Sequence, residues 1–383
     1  MSTVESAPTD VARLPALAVV DNTNPDNMFQ VLTLMSGYFD LLGVVVTGRA
    51  ASSSREAELD DISLEESEFR TILNAVRMRN FMDEAVPEHG IPVFAGTPAP
   101  RTIVPHRVHV DELDFGDLYG DQLESIRMAR LGDVRALGAL GLAGNIETAR
   151  SYLEGDQAGS FVMVVGGPMT DVRTLLQSDV INDKTSEIHT QFGMCGFGEQ
   201  KLMEFGETPR GKRQFNVACD PDAARDVLMN FPRAVHLYPS DVTRVNAIGF
   251  ADADELSRFL PDTPGARRMV QIYDFAFREM IQPRGPHEKI WIHDVAPAIG
   301  ALDLAAHHRQ PTGRDVEFIR GPYTERAVHV RHVPHQPHER DHFGEIWLSF
   351  IEDNTEVPQT GGRFVADSVD PSLYKQAIYD LVA

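Results

Sequence analysis

The sequence contains little cysteine and no long apolar run. Two cysteines in 383 residues cannot form a disulfide framework. Because Cys195 and Cys219 lack CxxC spacing, we expect no cysteine-based zinc site. No apolar stretch reaches the roughly 20 residues of a transmembrane helix, and the acidic start lacks the basic region and apolar core of a signal peptide. We therefore expect a cytoplasmic protein that does not contact membranes.

Basic residues are also scarce. Lysine and arginine number 35 against 57 aspartates and glutamates, which gives a formal net charge of −22. A protein that neutralises phosphates needs a basic face, so we do not expect nucleic acid as a partner. The length suits one large α/β domain or two ordinary ones. Because no linker divides the chain convincingly, we predict a flexible tail over residues 1–14 and a single domain over residues 15–383.

Continuous apolar runs alternate with segments of helical spacing. Such runs are typical of strands that are buried on both faces of a parallel sheet. The pattern predicts an α/β fold with a mostly parallel central sheet flanked by helices, followed by a small C-terminal strand extension and a final helix over Pro371–Leu381. The apolar runs are Leu17–Val20, Leu41–Thr47, Ile91–Ala95, Ser160–Val165 and Ala234–Leu237.

A polar run follows the first predicted strand. Residues 21–27 carry two aspartates and three asparagines before an apolar run that starts a helix. The carboxyl end of a strand in an α/β sheet is where such folds place their chemistry. Aspartate and asparagine also bond to nearby backbone groups, so they suit an ordinary turn. These residues alone leave both interpretations open.

The run from Asn22 to Asn27 resembles the D-T-D-P-G-x-D-D signature of the inosine-uridine nucleoside hydrolase family, shortened by two residues. Further segments resemble the family's motifs in the same order across almost the whole chain, which implies the family's α/β fold. Those segments are Val164–Asp171 (A-L-G-P-L-T-N), Met194–Gly196 (M-G-G), Gln214–Asn216 (E-F-N), Ser240–Thr243 (L-D-V-T) and His293–Asp294 (H-D).

The resemblance implies N-glycosidic hydrolysis of a nucleoside or related ribosyl compound. In that family calcium holds the ribose 2′ and 3′ hydroxyls and a water, and an aspartate takes the water's proton. Carried over, Asp26 is the catalytic base and His293 lies near the leaving base. The implied substrate-binding residues are Asn22, Arg49, Gln214 and Asn216. The implied metal ligands are Asn24, Asn27, Asp294 and, through its carbonyl, Thr170.

The departures from the signature concern charge. Three of the family's four aspartates are asparagines here, and losing carboxylates weakens calcium binding, so we predict a degenerate calcium site, altered or empty. An alignment that places Asp21 in the site restores one carboxylate. Where the family has asparagine after the second strand, this chain has Arg49. Its guanidinium either takes part of the calcium's place and pairs with Asp26 and Asp294, or points to solvent.

Three functions are compatible with these features. Hydrolysis of a purine or pyrimidine nucleoside is favoured by the retained Asp26, Asn216, His293 and Asp294. A non-catalytic homologue that binds a ribosyl ligand or a protein partner is favoured by the asparagines. A ribosyl transferase or a glycosidase for phosphorylated substrates would use the charge of Arg49. A homo-oligomer is compatible with all three.

A histidine-rich stretch spans His329–His342. Spacing of three residues on a helix would form a metal-binding face, but Pro334 and Pro337 interrupt it. We therefore predict a solvated loop or hairpin tip, which can still bind adventitious metal.

Overall fold

The computed structural model describes most of the chain. The described residues are 13–21, 25–48, 64–100, 122–155, 159–193, 214–243, 248–278, 289–308, 322–333, 335–336, 338–339, 345–350 and 361–383. Residues 1–12 lie outside these ranges, so the flexible tail stays a prediction, as does the single domain.

One sheet runs through the described part of the chain. Its ten strands are β1 (Leu14–Val20), β2 (Phe39–Gly48), β3 (Val93–Pro98), β4 (Gly144–Asn145), β5 (Phe161–Val165), β6 (Thr185–Thr190), β7 (Ala234–Leu237), β8 (Tyr323–His332), β9 (Trp347–Phe350) and β10 (Arg363–Val369). Their order is β4-β3-β2-β1-β5-β6-β7-β10-β8-β9. The strands from β4 to β10 in this order pair in parallel, and β8 and β9 add an antiparallel edge.

Helices connect the strands. In the described residues they are α1 (Pro25–Leu34), α2 (Leu64–Ala85), α3 (Leu123–Met128), α4 (Val134–Ala139), α5 (Ile146–Glu154), α6 (Thr170–Leu176), α7 (Asp179–Lys184), α8 (Phe215–Cys219), α9 (Pro221–Asn230), α10 (Ser240–Thr243), α11 (Ala253–Phe259), α12 (Pro264–Ala276), α13 (Ala296–His308) and α14 (Pro371–Val382). None of them is both long and apolar enough to cross a membrane.

Alternating residues of β1 belong to two different cores. Ala16, Ala18 and Val20 pack with α1, α2, α12 and α14, whereas Leu17 and Val19 pack with α5, α6 and α9. Helices therefore cover both faces of the sheet, which is why its strands are apolar throughout. The predicted α/β class, the mostly parallel sheet and the C-terminal strand extension are confirmed.

The sheet reverses its winding at β1. The chain builds β2, β3 and β4 on one side of β1 and then continues with β5, β6 and β7 on the other. In open α/β sheets, a crevice forms outside the carboxyl ends of the strands at such a switch point, and ligands bind there. Asp21 follows β1 and Gly166 follows β5, so both lie at this crevice.

The third strand differs from the sequence prediction. We predicted it over Ile91–Ala95, and it spans Val93–Pro98. The Gly-Thr-Pro sequence is normally a strand breaker. Here β4 pairs only with Phe94 and Ala95, so the last residues of β3 pair with β2 alone. Pro98 lacks an N–H, but no strand of the described residues lies on its other side to need one.

The histidine-rich stretch lies at the β8–β9 edge. His329 and His332 belong to β8, and His335 lies beyond the strand, in the β8–β9 connection. The first two histidines thus form strand rather than loop. His342, Pro334 and Pro337 lie outside the described residues.

Candidate active site

Polar side chains from three elements meet at the switch point. Asp21 follows β1, Asp26 and Asn27 begin α1, and His293 and Asp294 precede α13. Asp21, Asp26 and Asn27 lie at least 267 positions before Asp294 in the sequence. One nitrogen of His293 and one carboxylate oxygen each from Asp26 and Asp294 lie within 4.8 Å of one another.

The Asn27 amide joins two buried carboxylates. Its Nδ2 donates hydrogen bonds to Asp21 Oδ1 at 2.6 Å and to Asp294 Oδ2 at 3.0 Å. Its Oδ1 accepts the backbone N–H of Asp21 at 3.3 Å. A backbone N–H can only donate, so these partners fix the orientation of the amide. The N–H face of Asn27 therefore points between the carboxylates, where a cation would lie if residue 27 were a third carboxylate.

The Asp26 carboxylate is held at both oxygens. The Tyr273 hydroxyl of α12 donates to Oδ1 at 2.7 Å, and His293 Nε2 lies 3.1 Å from Oδ2. Burial, and then the charge of Asp26, raise the pKa of Tyr273 well above its ordinary value, so its hydroxyl stays protonated and donates. The Asp26 side chain is 15% exposed, which leaves it accessible from the crevice.

The loop after β5 packs directly against this cluster. A Cβ on Gly166 would lie 2.1 Å from Gln30 Oε1 and 2.9 Å from Asn27 Oδ1. A Cβ on Gly167 would lie 2.8 Å from the backbone nitrogen of Asp21. A side chain at Gly167 would meet the backbone of Val20 and Asp21 and does not fit, whereas one at Gly166 would displace the ends of the Gln30 and Asn27 side chains.

An amide network borders the crevice beside the cluster. Asn216 Nδ2 donates to the Gly166 carbonyl at 3.1 Å and to the Gln191 carbonyl at 3.2 Å. The Gln191 side chain donates to Ser240 Oγ at 3.0 Å and accepts from Gln214 Nε2 at 3.1 Å. Gln214 Oε1 accepts the N–H of the third residue of its helix, as an N-cap does. Both polar ends of Gln214 thus have protein partners.

Thr170 begins α6 and is tied to its neighbours by both of its oxygens. Its hydroxyl donates to Asp220 Oδ2 at 2.8 Å, and its carbonyl accepts the Thr174 hydroxyl at 3.0 Å. Asp220 also caps α9 by accepting the N–H of Ala223 at 2.9 Å.

Asp171 is a buried carboxylate beside the crevice. It accepts the backbone N–H of Thr97 at 3.0 Å, where β3 ends. Complete burial raises the pKa of Asp171 from 3.8 to about 6, although hydrogen bonds from Thr47 and Thr97 oppose this rise. The family motif A-L-G-P-L-T-N has a neutral asparagine at this position, so the titratable group is a feature of this chain.

Three predicted site residues lie outside the described residues. They are Asn22, Asn24 and Arg49. The pairing of Arg49 with Asp26 and Asp294 therefore stays a prediction, as does the transferase function that depends on Arg49. Of the remaining candidates, Asp26, Asn27, His293 and Asp294 form one cluster, and Gln214 and Asn216 belong to the amide network beside it. Thr170 belongs to neither group, because its oxygens bond to Asp220 and Thr174.

Sequence reasoning missed two members of the site. Tyr273 lies at helical spacing among apolar residues, which does not distinguish it from a core tyrosine. Gln191 directly follows β6. Its position at the carboxyl end of a parallel strand could have marked it as a candidate site residue. Asp21 entered only through the alternative alignment, which restores one carboxylate, and the structure places it beside Asn27.

The sequence matches a family model described as inosine-uridine preferring nucleoside hydrolase over residues 63–367. The chain belongs to this family. The match begins after the divergent 21–27 run, so the part of the site with the asparagines is also the part that the family model does not cover. A comparison with curated protein sequences gives no match.

Solved structures of nucleoside hydrolases share the fold. A plant nucleoside hydrolase (PpNRh1) has 15% identity and a TM-score of 0.60, covering 97% of this chain and 99% of that one. An inosine-guanosine nucleoside hydrolase has 16% identity and a TM-score of 0.57, with 96% and 98% coverage. A purine-preferring ribonucleoside hydrolase from Gardnerella vaginalis has 17% identity and a TM-score of 0.54, with 96% and 99% coverage.

Family membership indicates nucleoside N-ribohydrolase chemistry at the level of the superfamily, with a small ribosyl compound as substrate. Members of the family typically depend on calcium. Whether this chain does so depends on the oxygen atoms around Asn27.

Proposed function

We propose that this protein hydrolyses the N-glycosidic bond of a nucleoside, with Asp26 as general base. The observation that carries the proposal is the Asp26 carboxylate at the switch point of a nucleoside-hydrolase fold, held between Tyr273 and His293. A base must be fixed within hydrogen-bond reach of the water that it activates. The two partners fix the carboxylate, and its side chain remains 15% exposed, so a water can reach it.

The reaction balances with the residues of this cluster. Asp26 takes a proton from water, the water oxygen bonds to C1′, and the C1′–N bond breaks with its electron pair on the base nitrogen. Protonated His293 supplies the proton that the leaving base requires. After the products leave, Asp26 loses its proton to solvent and His293 takes one up, which restores both groups.

We further propose that this site works without calcium. Calcium takes six to eight oxygen ligands. The described donor set does not fit this requirement: Asn27 presents N–H to Asp21 and Asp294, and the Thr170 carbonyl accepts a hydroxyl within its own helix. The amide dipole instead compensates the two carboxylates directly. No step of the proposed reaction depends on a metal ion.

A paired substitution tests the role of Asp26. Asp26→Asn removes the base while keeping the size of the side chain and one acceptor oxygen. Asp254→Asn is the matched control, because Asp254 is exposed in the first turn of α11, as Asp26 lies in the first turn of α1. We expect free base released from a ribonucleoside panel to fall by about 100-fold or more in Asp26→Asn and to stay unchanged in Asp254→Asn. Equal rates in both variants would exclude Asp26 as base.

A ligand-binding function without hydrolysis is the second candidate. Both polar ends of Gln214 bond to protein groups, and Asn27 is committed to Asp21 and Asp294, which together favour a closed, static site. Nucleosides that raise the melting temperature without releasing base would support this function instead. We also propose that the protein is cytoplasmic and that it self-associates. Each of these two proposals needs its own measurement.

A further inference from the structure

A second cluster of ionisable side chains lies on β6 and β7. His189 and His236 are register partners in these parallel strands, so they project from the same face of the sheet. Their rings stack with centroids 4.6 Å apart. Glu187 lies two residues before His189 on the same face, and its Oε2 is 3.2 Å from His189 Nε2. One ligand-type atom from each of the three side chains lies within 4.8 Å of the others.

The other ring nitrogen of each histidine has a protein partner. His189 Nδ1 lies 3.2 Å from the Tyr238 hydroxyl, and His236 Nδ1 lies 2.9 Å from Glu325 Oε2. Metal-binding histidines in proteins have this arrangement, in which an acidic or hydroxyl group holds one nitrogen and so orients the other toward the ion. His189 Nε2 lies on the side of Glu187, and one ring nitrogen of His236 lies within 4.8 Å of the ligand-type atoms of both other residues.

We propose that Glu187, His189 and His236 bind one divalent transition-metal ion of the zinc class. Two imidazoles and one carboxylate are a common three-residue zinc set, with a fourth position for water. Both histidines are buried, whereas Glu187 is 26% exposed, so the carboxylate lies where an ion can enter from solvent. This site is separate from the Asp26 cluster and is independent of the proposed hydrolysis.

Ion binding requires a specific change in the side chains. The two imidazole planes are within 7° of parallel, whereas the nitrogens of a tetrahedral site point toward a common centre. One ring must therefore tilt about its side-chain torsions. The backbone need not move, because the β6–β7 pairing fixes both Cα positions.

The histidine-rich edge offers a competing group that serves as the control. His332, His335 and Glu339 also lie within reach of one ion. The Glu339 carboxylate, however, accepts the backbone N–H groups of His335 and Gln336 at 3.0 and 2.9 Å. These bonds close the turn after β8, so the carboxylate already has a structural role there.

The test is zinc binding by the full-length protein. Metal-stripped protein is dialysed against zinc, and bound zinc is measured by atomic absorption for the wild type, Glu187→Gln, His236→Gln and the control His332→Ala/His335→Ala. We expect one zinc per chain whose affinity falls by at least about tenfold in Glu187→Gln and His236→Gln and stays unchanged in the control. Circular dichroism of each metal-free variant checks that it is folded, and Glu187→Gln is the primary variant because its side chain is partly exposed.

A further variant separates a built site from chance ligands. Glu325→Gln leaves the three proposed ligands in place and weakens the group that orients His236 and also bonds Tyr238, the partner of His189, so zinc affinity should fall by about 10-fold to 100-fold. The proposal is overturned if the wild type binds no zinc, if Glu187→Gln binds as tightly as the wild type, or if the control variant loses the binding.

Discussion

At the residue scale, two side chains from distant parts of the chain hold the Asp26 carboxylate. Tyr273 donates from α12 and His293 approaches from the segment before α13. Hydrogen bonds to a charged group contribute about 1.5–3 kcal/mol each. Tyr273 therefore acts as a positioning residue, and its removal should affect turnover more than substrate binding.

Tyr273→Phe tests this role. The substitution keeps the ring and its edge contact with Phe29 but removes the hydroxyl. We expect kcat to fall about tenfold with KM little changed, because roughly 1.4 kcal/mol corresponds to a factor of ten. The acidic limb of the pH–rate profile should move to higher pH, since the ionised carboxylate loses a donor. An unchanged profile would mean that Tyr273 only packs.

Asp171 gives a second prediction at this scale, for stability. Its pKa is raised in the folded state from 3.8 to about 6, so burial favours the protonated form. Protonated Asp171 therefore contributes to the free energy of unfolding. This contribution is fully present below pH 3.8 and is lost as pH rises through about 6. Above pH 6 the ionised group costs up to about 3 kcal/mol relative to a neutral one.

Asp171→Asn should remove this cost while keeping an acceptor for the Thr97 N–H. We expect the variant to be more stable than the wild type at pH 8 and equal to it at pH 4, as measured by urea unfolding at both values. Asp171→Ala, which lacks the acceptor, should gain less. A variant that is destabilised at pH 8 would show that the Asp171 charge is needed in the fold.

At the element scale, the Asn27 amide connects β1, α1 and the segment before α13. It is the shared donor to the carboxylates of Asp21 and Asp294. Two acidic groups this close would repel each other without such a donor or a cation. Under the proposed metal-free mechanism, the asparagine replaces a carboxylate that would need a cation with an amide that donates to both remaining carboxylates.

Asn27→Asp should reverse this replacement. Three carboxylates would then face one another, and we expect the variant in chelator to lose about 1–3 kcal/mol of stability. Added calcium should raise its melting temperature and leave that of the wild type unchanged. A wild type that calcium stabilises as much as the variant would contradict the proposed role of the amide.

Elements were predicted better in type than in extent. The apolar runs of β1, β2 and β5 predicted buried parallel strands because burial on both faces removes the polar residues that would mark one face. The end of β3 differs from the prediction because a Gly-Thr-Pro sequence normally ends a strand. The neighbouring strand β4 is too short to reach Pro98, so the proline is tolerated there, and local sequence does not reveal how short β4 is.

At the scale of the whole molecule, the site depends on strand order. Asp21, Asp26 and Asn27 meet residues 293–294 because β1 lies between β2 and β5 at the switch point. Local patterns do not determine this order, and the resemblance to the nucleoside hydrolase family implied only its α/β fold and its site residues. The resemblance predicted Asp26, Asn27, His293 and Asp294 as one group, whereas Tyr273 and Gln191 depend on three-dimensional packing that no short motif records.

The most direct test of the proposed metal-free hydrolysis is base release by the wild-type protein with chelator and with added calcium. Purified protein is incubated with a panel of purine and pyrimidine ribonucleosides, and free base and reducing sugar are measured. We predict release at the same rate in both conditions. Release that requires calcium would contradict the role assigned to the Asn27 amide, and no release from any ribonucleoside would contradict the proposed hydrolase function.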